Sequence, residues 1–306
     1  MSHFISGITA RFFATVAAVC LMSSCSRHEA AVAQRPASPK PVVATIAVPV
    51  PTEPAIEISD ANKSRAAELM QTIFGAKYRA VDGAALAVIE DGEDAGYWRM
   101  TLYSAKELPD GRIAVVVNGA PSDENGADNA AHASPGMLNV YTLRRAAGAW
   151  QVIERYQDVS TMGSSGNIGA VKWIVLGLGK TGIVVSPGGT WFGSTIANAE
   201  IFDLDHGMRS LGGFAELSSN AGGCLPETKD CWDVGGKIGT VLASHAEDYR
   251  DIVVDFSGKH FRVTENASGN QVEHLTRTVR QTARYRFNGK TYVLVSGENP
   301  VPEIDG

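Results

Sequence analysis

Apolar residues recur at helical spacing in one clear stretch of the chain, where Ala66, Leu69, Met70, Ile73 and Phe74 fall on one face. Ser59 or Asp60 can cap the start of this helix, and Gly75 ends it. After it the period changes. Short β-branched and aromatic runs follow at 98–104, 112–118, 137–144, 150–156, 172–176, 182–186, 200–204, 237–244, 251–256, 283–287 and 291–295. Turn residues separate them: Pro109-Asp110-Gly111, Ala146-Ala147-Gly148, Gly179-Lys180-Thr181-Gly182, Asp205-His206-Gly207 and Asn288-Gly289. Asn288-Gly289 marks the last hairpin most clearly, because Asn-Gly supplies the positive φ angles of a tight two-residue turn. A succession of antiparallel hairpins predicts an all-β domain with one N-terminal helix, built as a sandwich or a propeller-like meander.

The hairpins are irregularly spaced and carry no recurring signature, which argues against a repeat array. The segment from Asp248 to Phe256 is faintly similar to the strand-closing motif of integrin-type propeller repeats, but that family's acidic calcium loop is absent beside it.

Ahead of the domain, an n-region whose side-chain charge is Arg11 leads into an apolar run from Phe12 to Met22, then Ser23, Ser24 and Cys25. A spanning helix needs roughly 20 apolar residues, so this run has the length of a cleaved signal. It resembles a bacterial lipoprotein signal. The resemblance implies cleavage before Cys25, acylation of that cysteine and, with Ser26 rather than aspartate next, sorting to the outer membrane, facing the periplasm. Cleavage after Ala31-Val32-Ala33, an uncleaved anchor and a buried helix are the alternatives. Mature lipoproteins of this kind carry more than one acyl chain, which makes the anchor effectively permanent.

Between about residues 25 and 55 the composition turns to Ala, Val and Pro, with Pro36, Pro39, Pro41, Pro49, Pro51 and Pro54 opposing helix and sheet. Such a segment predicts a semi-rigid tether reaching up to about 90 Å at roughly 3.1 Å per residue. The organisation expected is therefore a signal at 1–24, the lipidated cysteine and tether at 25–55, and a β-rich globular domain at 56–306.

A formal net charge of −6 excludes sustained nucleic-acid binding, which needs concentrated positive charge. Arg277, Arg280, Arg284 and Arg286 form the one basic cluster, best explained as a solvated face. Cys224 and Cys231, with six residues between them in a Gly- and Pro-containing segment, predict a disulfide in an oxidising compartment. Zinc would need further ligands, and a redox pair usually has two intervening residues.

Several chemical patterns dissolve on inspection. Gly177-Leu178-Gly179-Lys180-Thr181 suggests a phosphate loop, yet Ile174 stands where its first glycine belongs and a strand follows. Asp123-Glu124-Asn125-Gly126-Ala127-Asp128 gathers oxygen ligands without the glycine and glutamate offsets of a calcium loop. His132 and Ser134, with Asp128, lack the strand-turn-helix elbow of a nucleophilic serine. Asp203 and Asp205 share a strand face, with His206 at the turn, but alternation on a solvated face explains them equally well.

Residues 163–169 and 187–193 are the best recognition elements, the second carrying Trp191 and Phe192, which can stack on a sugar or a partner side chain. Tight turns beside a buried aromatic pair explain the same residues. No catalytic residue, cofactor or metal is assigned. The expectation is a non-enzymatic binding or structural domain, held to a membrane through its lipid and meeting an envelope protein, peptidoglycan or another glycan. The alternative is a secreted hydrolase built on Asp203, Asp205 and His206.

Overall fold

The apolar stripe forms the helix it predicts: α1 spans Asp60–Phe74 and buries Leu69, Met70 and Ile73. Each such side chain is worth about 1.5–3 kcal/mol when removed from water. The computed structural model describes residues 60–304, apart from Asp91, Glu93 and 242–248. Cys25, Ser59, the signal, the Pro-rich segment and Asp248 lie outside the described residues.

Everything after α1 builds two open antiparallel sheets. The first is a meander of β1 (Tyr78–Arg79), β2 (Ala84–Ile89), β3 (Gly96–Glu107), β4 (Ile113–Ser122), β5 (Gly136–Ala146) and β6 (Ala149–Met162). The second contains β7 (Ala170–Gly177), β8 (Lys180–Ser186), β9 (Gly188–Trp191), β10 (Ser194–Asp203), β11 (Arg209–Ser219), β12 (Cys231–Val241), β13 (Asp251–Glu265), β14 (Gln271–Phe287) and β15 (Tyr292–Ser296). Its order is β15-β14-β13-β12-β11-β10-β8-β7, with β9 paired to β10. Of the two architectures expected, this is the sandwich-like one.

The strand β4 shows why the sheets meet. Its continuous apolar run is buried on both faces: Ala114 and Val116 pack with Ile183, Val185 and Phe202 of the second sheet, while Val115 and Val117 pack with α1. The second sheet also curls around a core of its own, formed by Ile174, Leu176, Ile201, Ile238, Val254 and Tyr285. That curl brings β7 back towards β12 and β13, where Lys172 Nζ donates to the Ile238 carbonyl at 2.6 Å and the Arg250 amide to the Leu176 carbonyl at 2.5 Å.

Several expectations need correction. β1, β2, β9 and β11 fall outside the predicted runs, and β13 and β14 run far beyond 251–256 and 283–287. The last hairpin is not a two-residue turn: Phe287 pairs with Tyr292, and Asn288 acts through Oδ1, which accepts the Lys290 and Thr291 amides at 3.0 Å. Only Gly289 there has positive φ. The basic cluster is not simply solvated, since Arg284 and Arg286 hold the buried Asp251 and Arg277 bonds His260. Burial opposes ionisation of Asp251, but hydrogen bonds from Arg286 and Arg284 outweigh it and keep the carboxyl below its usual range.

Candidate functional site

The two glycine-rich stretches singled out in the sequence come together. The loop 163–169 is pinned to the first sheet by the buried Asn118, whose Nδ2 donates to the Gly166 carbonyl at 2.9 Å while Oδ1 accepts the Ile168 amide at 3.0 Å. It is pinned to the second sheet by the Ser164 hydroxyl, which donates to the Gly188 carbonyl at 2.9 Å. Glycine is required at the junction, because a Cβ on Gly169 would lie 2.2 Å from the Ser186 carbonyl oxygen.

β9 and β10 are joined by Phe192 and Gly193, with φ of +49° and +80°. Two consecutive positive φ values are the signature of a type I′ hairpin turn, whose first position normally holds Asn, Asp or Gly. Here it holds phenylalanine, and the ring is fully exposed. The turn rests on the backbone of 222–223, so closely that a Cβ on Gly193 would lie 2.3 Å from the Gly223 nitrogen. Behind that contact, Cys224 and Cys231 form the expected disulfide, with Cα atoms 6.1 Å apart, and pack with Phe261 and Val263.

Trp191 lies across Gly189, where a Cβ would come within 2.2 Å of its Cη2. His132 meets it edge-on, with ring centroids 5.8 Å apart, and Trp191 remains 38% exposed. His132 is held in place: Nε2 donates to the Thr190 carbonyl at 2.7 Å, and its own carbonyl accepts the Ser165 amide at 3.0 Å. The buried-aromatic explanation of 187–193 is thus overturned. His132 does not form the arrangement with Ser134 and Asp128 considered above, since the Ser134 hydroxyl accepts the Ala131 amide and Asp128 accepts that of Ala130. Asp123 likewise closes its own turn by accepting the Asn125 and Ala127 amides.

The second candidate lies at the other end of β10. Asp203 is fully buried rather than on a solvated face. Its Oδ2 accepts His206 Nδ1 at 2.7 Å and the Tyr249 hydroxyl, and its Oδ1 accepts the Asp205 amide at 3.0 Å. Burial first, and then the bond to Asp203, pushes the Tyr249 phenol up to about 12. Asp205 accepts the Thr181 amide at 3.1 Å and pairs with Arg112 of the β3–β4 turn at 3.3 Å, linking the two sheets. The chemistry of this group is already committed: Asp203 receives three donors, and no serine, threonine or cysteine is hydrogen-bonded to His206 among the described residues. Nor, among them, does any group of three or more His, Cys, Asp or Glu stand ready to hold a metal ion.

Between the two ends, a shallow depression of about 460 Å³ lies over β10 and β11 with Glu200 as its one ionisable lining group. Sequence reasoning missed Asn118, the Gly189 seat and Tyr249. The Phe-Gly pair at an Asn-Gly position was the available signal for the exposed tip. Compared with protein-family models, with curated proteins and with solved structures, the chain matches none.

Proposed function

We propose that this chain is a lipid-anchored envelope protein whose β-rich domain is a non-enzymatic binding module, working through the loop platform around Trp191 and Phe192. The observation that carries the binding role is Phe192. A non-glycine residue in the left-handed region costs of order 1 kcal/mol, and here the ring it presents is fully exposed, without a ring contact among the described residues. A partner that covers the ring would offset that cost. The glycine contacts beneath hold the platform rigid, which lowers the ordering entropy lost on binding.

The anchor rests on the sequence around Cys25, and the Pro-rich segment would set the module's reach from the outer membrane. Labelled palmitate should enter the wild-type protein, and Cys25→Ala should abolish labelling and release the chain from sedimented vesicles. A Cys25→Ala chain that sediments as before defeats the anchor. The binding role is tested by placing a photo-crosslinking residue at position 192 in cells. Light-dependent adducts support it, and their absence at 192 together with wild-type behaviour of Trp191→Ala in every binding assay defeats it.

One observation favours a second reading, hydrolysis: Asp203 orients His206, whose ring is half exposed. An Asp-His pair can activate water. Hydrolase activity that disappears in His206→Gln while the chain stays folded would establish that alternative.

A further inference from the structure

His260 is buried on β13, and both nitrogens of its ring are engaged. Nδ1 lies 2.9 Å from Asp230 Oδ2, and Nε2 lies 2.6 Å from a terminal nitrogen of Arg277. A guanidinium has donors only and stays charged, so Nε2 is the acceptor of that bond. The ring is therefore neutral, and its one proton sits on Nδ1 and is donated to the Asp230 carboxylate. Such a ring cannot take a second proton and keep both partners. Protonated at Nε2, it would turn a donor and a positive charge towards those of Arg277, while its bond to Asp230 would become an ion pair. Arg277 is exposed and can move into water. Asp230 stays, because Asn220 Nδ2 donates to its backbone carbonyl at 3.1 Å.

The place of this contact in the sheet gives the proton a structural consequence. His260 pairs with Arg277 and Phe261 with Leu275, so Thr276 is an extra residue and the ladder is interrupted beside it. β12 ends against Phe261, and β15 pairs with β14 only at 284–287. Residues 262–265 and 271–274 thus form a two-stranded ribbon with no further strand on either side among the described residues, and of them only Val263 is buried. A two-stranded ribbon has little stability of its own. The bond from Arg277 to His260 ties its root together where the ladder is weakest.

We propose that His260 is an acid-sensitive latch, in which protonation of the ring expels Arg277 and frees the root of the β13–β14 ribbon. The groups around the ring set the direction of the response. The disulfide loop contributes Asp230 and the exposed Glu227 and Lys229, and β14 contributes Arg277. Arg262 and His274, register partners one step along the ribbon, share the face of His260. Asp233 of β12 and the Lys259–Glu273 ion pair stand on the opposite face. Asp230 is the one anion hydrogen-bonded to the ring, so the protonated form keeps the loop and loses the neighbouring strand.

This inference goes beyond the binding role and stands or falls without it. The test is hydrogen exchange of the full chain in detergent at about pH 8 and about pH 5, the interval in which imidazoles titrate, with each rate divided by that of an unstructured chain at the same pH. Protection at 271–277 should fall roughly tenfold at the lower pH, with α1 and β4 unchanged. His260→Gln can accept from Arg277 and donate to Asp230 without titrating, and should protect the ribbon equally at both values. Arg277→Gln is the sharper control: its amide can donate to the neutral ring and accept from the protonated one, so the ribbon should stay closed while nitrogen NMR shows His260 still titrating. Circular dichroism checks that each variant is folded. Equal protection of the wild-type ribbon at both values overturns the latch, as does a pH-dependent loss that persists in either variant. A wild-type ring whose proton resides on Nε2 at the higher pH overturns it without any variant.

Discussion

The strand β10 carries two very different ends, about 30 Å apart at roughly 3.4 Å per residue. At its end, Asp203, Asp205, His206 and Tyr249 include the residue types from which catalytic sites are made, yet their donors and acceptors satisfy one another and tie the β3–β4 turn to the second sheet. At its start, Trp191 and Phe192 offer no reactive group, yet Phe192 is held in the left-handed region with its ring fully exposed. Residue type is therefore a poor guide here. What separates structural from functional residues is whether the surrounding contacts explain the energy spent on them: they do around Asp203 and do not around Phe192.

The sharpest way to break the comparison is to remove the carboxylate. Asp203→Ala leaves the Tyr249 hydroxyl, the His206 ring and the Asp205 amide without their common acceptor, and should cost about 3 kcal/mol in urea unfolding. Crosslinking through position 192 in the variant that remains folded should not change. If Asp203→Ala proves as stable as wild type, the structural assignment of this cluster is wrong. Next in size is the disulfide. Opening the short loop in the double variant Cys224→Ser, Cys231→Ser should cost about 2.5 kcal/mol from loop-closure entropy, measured against wild type under non-reducing conditions. Because 222–223 supports the Phe192 turn, this variant should also weaken binding at the aromatic end, whereas Asp203→Ala should not.

The pH profile probes the same contrast with a smaller effect. The Tyr249 phenol stands above its ordinary value in the fold, so its contribution to stability is complete below about pH 10, the unfolded value. That contribution is lost as pH rises towards the folded value of about 12. Tyr285 and Tyr292 are pushed up by burial as well, so the alkaline loss is shared. Tyr249→Phe should remove only its part, as a constant loss of stability below about pH 10 and a flatter alkaline limb above it. An unchanged limb would show that Tyr249 is not held by Asp203.

Much of the architecture was legible because burial and sequence pattern coincide. The runs in β3, β4, β5 and β6 are bounded by turns that the structure keeps, β7 and β8 turn earlier and more tightly than expected, at Leu178-Gly179, and Leu69, Met70 and Ile73 of α1 bury the face their spacing defines. Where burial is absent, the pattern is too. Most of β14 is exposed, with Arg277, Thr278, Arg280, Gln281 and Thr282 in place of apolar alternation, and its length comes from pairing with β13. β11 is hidden by Gly212 and Gly213, present because Thr291 and the Ala199 carbonyl come so near that a Cβ would lie 2.0 and 2.1 Å from them. The site was legible only in part. Trp191 and Phe192 stand out as residues, and the Gly189 seat lies only two positions from Trp191 on the same strand face, but the Asn118 pin and the Tyr249–Asp203 bond join positions far apart in the chain, and local spacing carries no trace of them.

The smallest effect has the opposite sign and is the most diagnostic. Asparagine adopts the left-handed region more readily than phenylalanine and is favoured at the first position of a type I′ turn. Phe192→Asn should therefore stabilise the domain by up to about 1 kcal/mol while weakening ligand binding. Ala147 provides the control: it occupies the equivalent position of the β5–β6 hairpin, at φ +51° before Gly148, with no aromatic ring to lose. Ala147→Asn should give a comparable gain in denaturant midpoint with unchanged affinity. A gain at both turns with binding lost only at 192 would mean that the ring is kept there against the preference of the turn, for the sake of what it touches. Destabilisation by Phe192→Asn would instead mean that the ring supports the fold, and the difference between the two ends of β10 would disappear.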